Sequence, residues 1–336
     1  MEDPDVPTDI FKLTERFLMK EREKFIAALE RRPITGLVPH FELVFFLTME
    51  AFGKLHPSQR HYAQWEQMSR TEQTLHIDEI ARLYIDTARR YQHAGILYHG
   101  VSGWDMETNR RCMERIRELS GDEYALLAHG DATYALPSGD GVMEFVCRMF
   151  EDAQGLKDQA ERMVDEQIAL TETMRSWGIL DGFCLCSDYC FNTNPFLAPE
   201  QFEEFIFPYL KKLIAAYREQ GFYTIKHTDG NIMPILDMLV EANPHALHSL
   251  DPQGGVDIAE VKSRCGNRLC LIGNVNCASL QTGTAEELTA SVQYALKHGM
   301  PDYGYIFSTS NCIYTGLALD RYEMMLDIWR REGIYA

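Results

Sequence analysis

Eight short apolar segments recur along the chain, each followed by a stretch with helical spacing. They are Ile34–Pro39, Gly95–His99, Tyr124–His129, Gly182–Cys186, Phe222–His227, Ala246–Leu250, Leu269–Gly273 and Gly304–Ser308. Helical patterns lie between them, among others Pro199–Gln220, Ile232–Glu241, Ile258–Arg264, Ala285–His298 and Asp320–Arg331. Strands that alternate with helices pair in parallel through crossover helices. Eight such units predict a closed α/β structure, a (β/α)8 TIM barrel, rather than an open sheet. No glycine-rich dinucleotide fingerprint follows any of the strands, which weakens the open-sheet alternative further. Ahead of the first strand, Phe11, Leu13, Phe17, Leu18, Phe25, Ile26 and Leu29 fall near helical spacing over 9–30, and Pro33 ends that helix. The pattern therefore predicts an N-terminal helical extension over 1–32 and one barrel over 33–336.

Composition removes several function classes. With 46% hydrophobic and 24% charged residues, the chain can bury a sizeable core. A net charge of −18 repels nucleic acid and anionic membrane, so neither is an expected partner. No run approaches the roughly 18–20 apolar residues of a membrane span. The stretch Met1–Asp9 is acidic and polar, the opposite of a secretory signal, and the expected location is the cytoplasm. Nine cysteines, an odd number scattered over 336 residues, suggest free thiols or a metal site rather than a disulfide framework.

In a parallel barrel the reactive groups gather where strands end and βα loops begin. The strand exits here carry His40 and Glu42; His99, Trp104 and Asp105; His129 and Asp131; Ser187, Asp188, Tyr189 and Cys190; the run His227 to Asn231; His248 and Asp251; Asn274 and Asn276; and Ser308, Asn311 and Cys312. The strongest cluster is His227-Thr228-Asp229. In a loop leaving a strand, residues i and i+2 can turn towards one point, and a neutral imidazole with a carboxylate or thiolate suits zinc. Cys312, after the last strand, neighbours His40 and Glu42 around the closed ring. Bland readings stand beside these. His227 also fits a metal-free substrate contact, and Asp229-Gly230-Asn231 also suits a turn capping the next helix. Cys184 and Cys186 share one strand face and read as packing, as do Cys265, Cys270 and Cys277.

Several runs resemble the uroporphyrinogen decarboxylase superfamily. They are Gly182 to Tyr189, Phe196 to Phe205 with Pro208, His227 to Asn231, His248 to Pro252, Leu271 to Asn276 with Leu280, Gly283-Thr284 and Glu286-Glu287, and Cys312-Ile313. The likeness is strong over the second half and general over the first. True decarboxylases carry an arginine-rich segment after the first strand that grips porphyrinogen carboxylates. This chain has no arginine between Arg32 and Arg60 and shows His40-Phe41-Glu42 there, so a substrate of many carboxylates is not expected. The resemblance therefore points to the corrinoid-dependent methyltransferase branch. Those enzymes bind zinc through a His-x-Cys after the fifth strand and a Cys after the eighth. His227 and Cys312 match, and Asp229 stands in place of the first Cys. The harder ligand disfavours thiol substrates and leaves methyl ethers, methylamines or a pterin.

The resemblance implies transfer of a methyl group between such a substrate, or a tetrahydrofolate-type acceptor, and the cobalt of a corrinoid. No Asp-x-His-x-x-Gly cobalamin-holding motif is present, so a partner corrinoid protein would carry the cofactor. The expected metal set is His227 and Cys312 with Asp229 or Glu42. Asp188, Tyr189 and His227 are the expected catalytic residues, and His40, His129, His248, Asn274 and Asn276 the expected pocket. The alternative is a metal-free decarboxylase or lyase using Asp188 as its electrostatic group and Tyr189 or His227 as proton donor.

Overall fold

A computed structural model describes residues 19–139 and 141–335. Among the described residues nine strands are formed: β1 Gly36–Leu37, β2 Gly95–Tyr98, β3 Ala125–His129, β4 Gly182–Leu185, β5 Tyr223–His227, β6 Ala246–His248, β7 Cys270–Val275, β8 Tyr305–Thr309 and β9 Ile334–Tyr335. Strands β2 to β8 make one parallel sheet in sequence order. Both faces of such a sheet are covered, which is why its strands are near-continuous apolar runs. Leu97, Leu127, Ile225 and Ile272 point into one core cluster, and their neighbours Ile96, Leu126, Leu247 and Leu271 into another beneath the outer helices.

The sheet closes through a single residue. His40 bridges in parallel to His93 on one side and Phe307 on the other. Backbone bonds Phe307 N–H to Pro39, Phe41 N–H to Phe307 and Ala94 N–H to His40 complete the ring. The fold is a TIM barrel whose first rung is reduced to this bridge. The first strand, expected at 34–39, is displaced: Gly36–Leu37 instead pairs antiparallel with Ile334–Tyr335 near the other end of the chain.

The helix Glu21–Leu29 lies within the expected N-terminal helix, whose residues before 19 fall outside the described region. Its Phe25, Ala28 and Leu29 pack among the inward-facing residues of the barrel. Arg22 pairs with Asp181, just before β4, and Arg117 reaches the same carboxylate at 2.9 Å. The helix therefore covers the end where the strands begin. Gly95, at the start of β2, has Phe25 and Phe41 where a Cβ would go, with Phe25 ring carbon at 3.2 Å. The expected helix Pro199–Gln220 is two helices, Pro199–Phe205 and Phe207–Glu219. Pro208 has no N–H to donate, and its ring excludes an unbroken helix through Ile206. No helix among the described residues is long and apolar enough to cross a membrane.

Candidate active site

Ile225 faces the barrel interior, so His227, two residues further along β5, turns to the same side at the mouth. Its Nε2 lies 3.7 Å from Asp188, which follows β4, and 3.8 Å from Asp229, in its own loop. Ligand atoms of Asp188, His227 and Asp229 all fall within 4.8 Å of one another, the one such group of metal-ligating side chains among the described residues. One imidazole and two carboxylates from two adjacent loops could hold a divalent cation. His227 is buried, whereas the Asp188 side chain is 45% exposed, so the group is open to solvent on that side.

The loops hold this geometry through specific bonds. Asp188 accepts from the Asp229 backbone N–H at 3.1 Å. Asp229 accepts from the Ser249 hydroxyl at 2.7 Å and from the Asn311 amide. Gly230 has φ of +77°, and a Cβ there would meet the Phe191 carbonyl oxygen at 2.5 Å, so the turn after Asp229 requires glycine. Ser249 and Leu250 also have positive φ, 91° and 54°, and the Asn274 amide donates to the Leu250 carbonyl at 2.9 Å. Backbone strain of this kind persists only where surrounding bonds enforce it, and here it surrounds the acidic pair.

Charge is tuned by burial. Burial, followed by the charge of Lys226, pushes the His227 pKa down to about 3, so the ring is neutral at physiological pH. Burial and the negative charge of Asp188 push Asp229 up to about 7, against its bond from Ser249. Two carboxylates crowd one imidazole with no basic side chain between them, an arrangement that a cation would relieve.

Beneath the mouth, His227 Nδ1 lies 2.7 Å from His248 Nδ1, and His248 Nε2 lies 3.3 Å from the Ser308 hydroxyl. Ser308 donates to Glu42 Oε2 at 3.3 Å, and Thr309 donates its hydroxyl to the same oxygen at 2.6 Å. His40 Nε2 is 3.2 Å from Glu42 Oε1. Glu42 and His40 are thus fully buried network members. Glu42, an expected ligand, is not among the three side chains of the metal-ligating group, and its oxygens are bonded to β8 and to His40. Burial raises the Glu42 pKa to about 8 against the bonds from Thr309 and Ser308.

A stability prediction follows. Unfolded, Glu42 ionises near about 4.3. Between that value and about 8 the folded state binds the extra proton, so the group's contribution is complete at low pH and is lost as pH rises through 8. Between about pH 5 and about pH 9, wild type should lose on the order of a few kcal/mol more stability than Glu42→Gln, which cannot ionise. Urea unfolding at both pH values measures this, and parallel profiles for the two proteins would contradict it.

The family model described as uroporphyrinogen decarboxylase (URO-D) matches residues 147–332, more than half of the chain. The chain belongs to the uroporphyrinogen decarboxylase family. Among solved structures it is similar to a methyltransferase from Methanosarcina mazei, 15% identical, with a TM-score of 0.70 over 93% of this chain and 99% of that one. That likeness establishes the shared barrel fold. A GH5_18 structure from Streptomyces cattleya in complex with GlcNAc is 10% identical with a TM-score of 0.48, over 88% of this chain and 81% of that one, too distant to carry an argument. Among curated proteins there is no match.

In this uroporphyrinogen decarboxylase family member, other expected site residues take varied places. Cys312 lies outside the metal-ligating group, because the loop after β8 sends Asn311 to Asp229 instead. Burial raises the Cys312 thiol to about 12. Tyr189 is buried, and its hydroxyl lies 2.5 Å from that of Thr133 in the core. Asn276 accepts from the Ala278 N–H and caps the helix Cys277–Gln281. Asn274 holds the strained turn after β6. His129 is exposed at the rim, its Nε2 2.9 Å from His99 Nδ1.

One residue that the sequence reading passed over holds the site together. Lys226 is fully buried beside His227, with its ammonium 2.9 Å from Asp131, 2.8 Å from the Ser187 carbonyl and 4.0 Å from the Tyr189 ring centre. Asp131 also accepts from the Ser187 N–H at 2.8 Å. Burial works to raise the Asp131 pKa, but the Lys226 charge and these bonds outweigh it and hold it low. The pair clamps the residue immediately before Asp188. A lysine inside a fully buried stretch of strand, between Ile225 and His227, was the available signal.

Proposed function

We propose that this protein is a methyltransferase that moves a methyl group between a small methylated substrate and the cobalt of a corrinoid carried by a partner protein, assisted by a metal ion, zinc in the first instance. The observation that carries this reading is the convergence of Asp188, His227 and Asp229 at the open end of the barrel. Three protein ligands with one side open is the usual plan of a catalytic zinc site. The solved methyltransferase that shares the fold over nearly its full length supports the same reading.

When bound, the metal supplies a Lewis acid for the oxygen or nitrogen from which the methyl group departs. The chain's own residues do the rest. His227 offers a neutral ring nitrogen. Asp229 is oriented by Ser249 and Asn311, and exposed Asp188 meets the incoming substrate. A set of one nitrogen and two oxygens is harder than the thiolate sets of the family's methyltransferases. It favours a methyl ether, methylamine or pterin over a thiol.

The test is a panel of methylated ethers, amines and pterins assayed with cob(I)alamin and methylcobalamin. One class should methylate or demethylate the cobalt, with activity lost to a strong chelator and restored by zinc. Metal-independent release of carbon dioxide, indifferent to any corrinoid, would replace this reading with the lyase alternative. That alternative would rely on Asp188 and His227, since the Tyr189 hydroxyl is engaged in the core.

A further inference from the structure

The buried polar residues below the mouth form one chain of hydrogen bonds, and its direction can be worked out atom by atom. It begins at a backbone carbonyl. His40 Nδ1 lies 3.0 Å from the Tyr91 carbonyl oxygen, which can only accept, so His40 carries its proton on Nδ1 and donates there. A neutral His40 then presents a bare Nε2. The group 3.2 Å from that nitrogen is Glu42 Oε1. A carboxylate oxygen facing a bare ring nitrogen would repel it, so Glu42 must carry a proton on Oε1. The Tyr322 hydroxyl is also near but at 3.5 Å is the more distant neighbour, so Glu42 is the group whose protonation His40 Nε2 reports.

With its one proton on Oε1, Glu42 can only accept at Oε2. The Thr309 hydroxyl and the Ser308 hydroxyl both donate there. Ser308 has then used its hydrogen, so it accepts from His248 Nε2. His248 is left with a bare Nδ1, which accepts from His227 Nδ1 at 2.7 Å. His227 therefore holds its proton on Nδ1 and turns a bare Nε2 towards Asp188 and Asp229, which at 3.7 and 3.8 Å stand beyond the hydrogen-bond distance at which Glu42 meets His40.

We propose that Glu42 is a positioning residue: a neutral carboxylic acid that, through Ser308 and His248, locks His227 in the tautomer whose Nε2 lone pair faces the two carboxylates, ready for a metal ion. This rests on the reading of the triad as a metal centre. With the Glu42 proton held on Oε1 by His40, an alternative polarity, with His227 donating from Nε2 to the carboxylates, would leave the Ser308 oxygen and Glu42 Oε2 facing each other with no hydrogen between them. Burial favours the neutral state of both acid and base: Glu42 and His40 are fully enclosed, and burial moves the first up to about 8 and the second down to about 3. Partners that set the tautomer of a ligating histidine typically govern metal affinity 10- to 100-fold, roughly.

Two variants and two readouts test this. Glu42→Gln keeps the same polarity, because its amide nitrogen can donate to His40 and its oxygen can accept from Ser308 and Thr309. Ser308→Ala breaks the chain between Glu42 and His248. In metal-free wild type and Glu42→Gln, nitrogen-15 NMR should show His227 protonated at Nδ1 and bare at Nε2, and in Ser308→Ala a mixture. Cobalt(II) titration of the full chain should give affinities within about threefold for wild type and Glu42→Gln, and at least about tenfold weaker for Ser308→Ala. Ser308→Cys, a weaker hydrogen-bond partner, replaces the alanine variant if that protein does not fold, with the same direction expected. His227 protonated at Nε2 in wild type, an unchanged Ser308 variant, or a Glu42→Gln protein as weak as Ser308→Ala would each overturn the inference. If wild type binds no cobalt(II), the metal reading falls, and the NMR result alone decides the tautomer.

Discussion

Replacing His227 with alanine should abolish divalent-metal binding and methyl transfer together. It is the single nitrogen in a group otherwise made of two carboxylates, and it is the member buried deepest. Without it, Asp188 and Asp229 remain as an acidic pair with one side open to water, and exposed acidic pairs bind cations weakly. Because removing a mere supporting partner of a ligand already costs roughly 10- to 100-fold in metal affinity, loss of the ligand itself should exceed about 100-fold. A stability cost of about 1–3 kcal/mol should accompany it, since His227 is buried and its loss leaves the buried His248 Nδ1 without its partner. Elemental analysis and cobalt(II) titration of wild type beside His227→Ala measure the first effect, and the substrate panel with cob(I)alamin measures the second. A variant that retains its metal would show that the carboxylates suffice. An active wild type that carries no metal and ignores chelators would show that His227 acts as a plain acid or orienting group.

Lys226→Met should be among the most damaging substitutions for stability in the chain. Methionine matches the length of the stem but removes the ammonium, leaving Asp131 buried with no counter-charge. Breaking a buried pair in this way costs about 3–5 kcal/mol, or a fall in melting temperature of about 4–7 °C for a chain of this size. The Ser187 carbonyl, which also lies against that ammonium, is orphaned as well. Because Ser187 precedes Asp188, the surviving folded protein should also bind metal less tightly. Calorimetry of Lys226→Met and of Lys226→Met with Asp131→Leu separates the causes. The double variant removes both charges and should recover much of the stability, since an apolar pair of similar volume can replace a buried ion pair at little cost. Equal melting temperatures for wild type and the single variant would mean that the clamp contributes nothing to the fold.

Much of the architecture was open to reading from residue order alone. Seven of the eight anticipated strands lie within a residue or two of their expected bounds. The reason is local: strands buried on both faces must be apolar throughout, and crossover helices carry their own period. The mouth cluster was equally legible in part. His227 and Asp229 meet because a strand end followed by a tight glycine turn throws residues i and i+2 to one side, and that is a property of five consecutive residues.

What the tertiary structure decided involves residues far apart in sequence. The first rung of the barrel is His40 alone, because closure depends on Phe307 and His93, and the apolar Gly36–Leu37 pairs with Ile334–Tyr335 near the opposite end of the chain. Asp188 rather than Cys312 completes the group around His227, because the loop after β4 lies beside β5 while the loop after β8 directs Asn311 inward. Glu42 read as a candidate ligand in sequence, and Lys226 drew no reading at all. Asp131 reaches Lys226 from the exit of β3, and Ser308 and Thr309 reach Glu42 from β8, so the meaning of both charges arises only when the sheet closes. Periodicity reports which face a side chain takes. Whether a buried charge is a clamp, a ligand or a neutral acid depends on the atoms opposite it, and those are set by the ring as a whole.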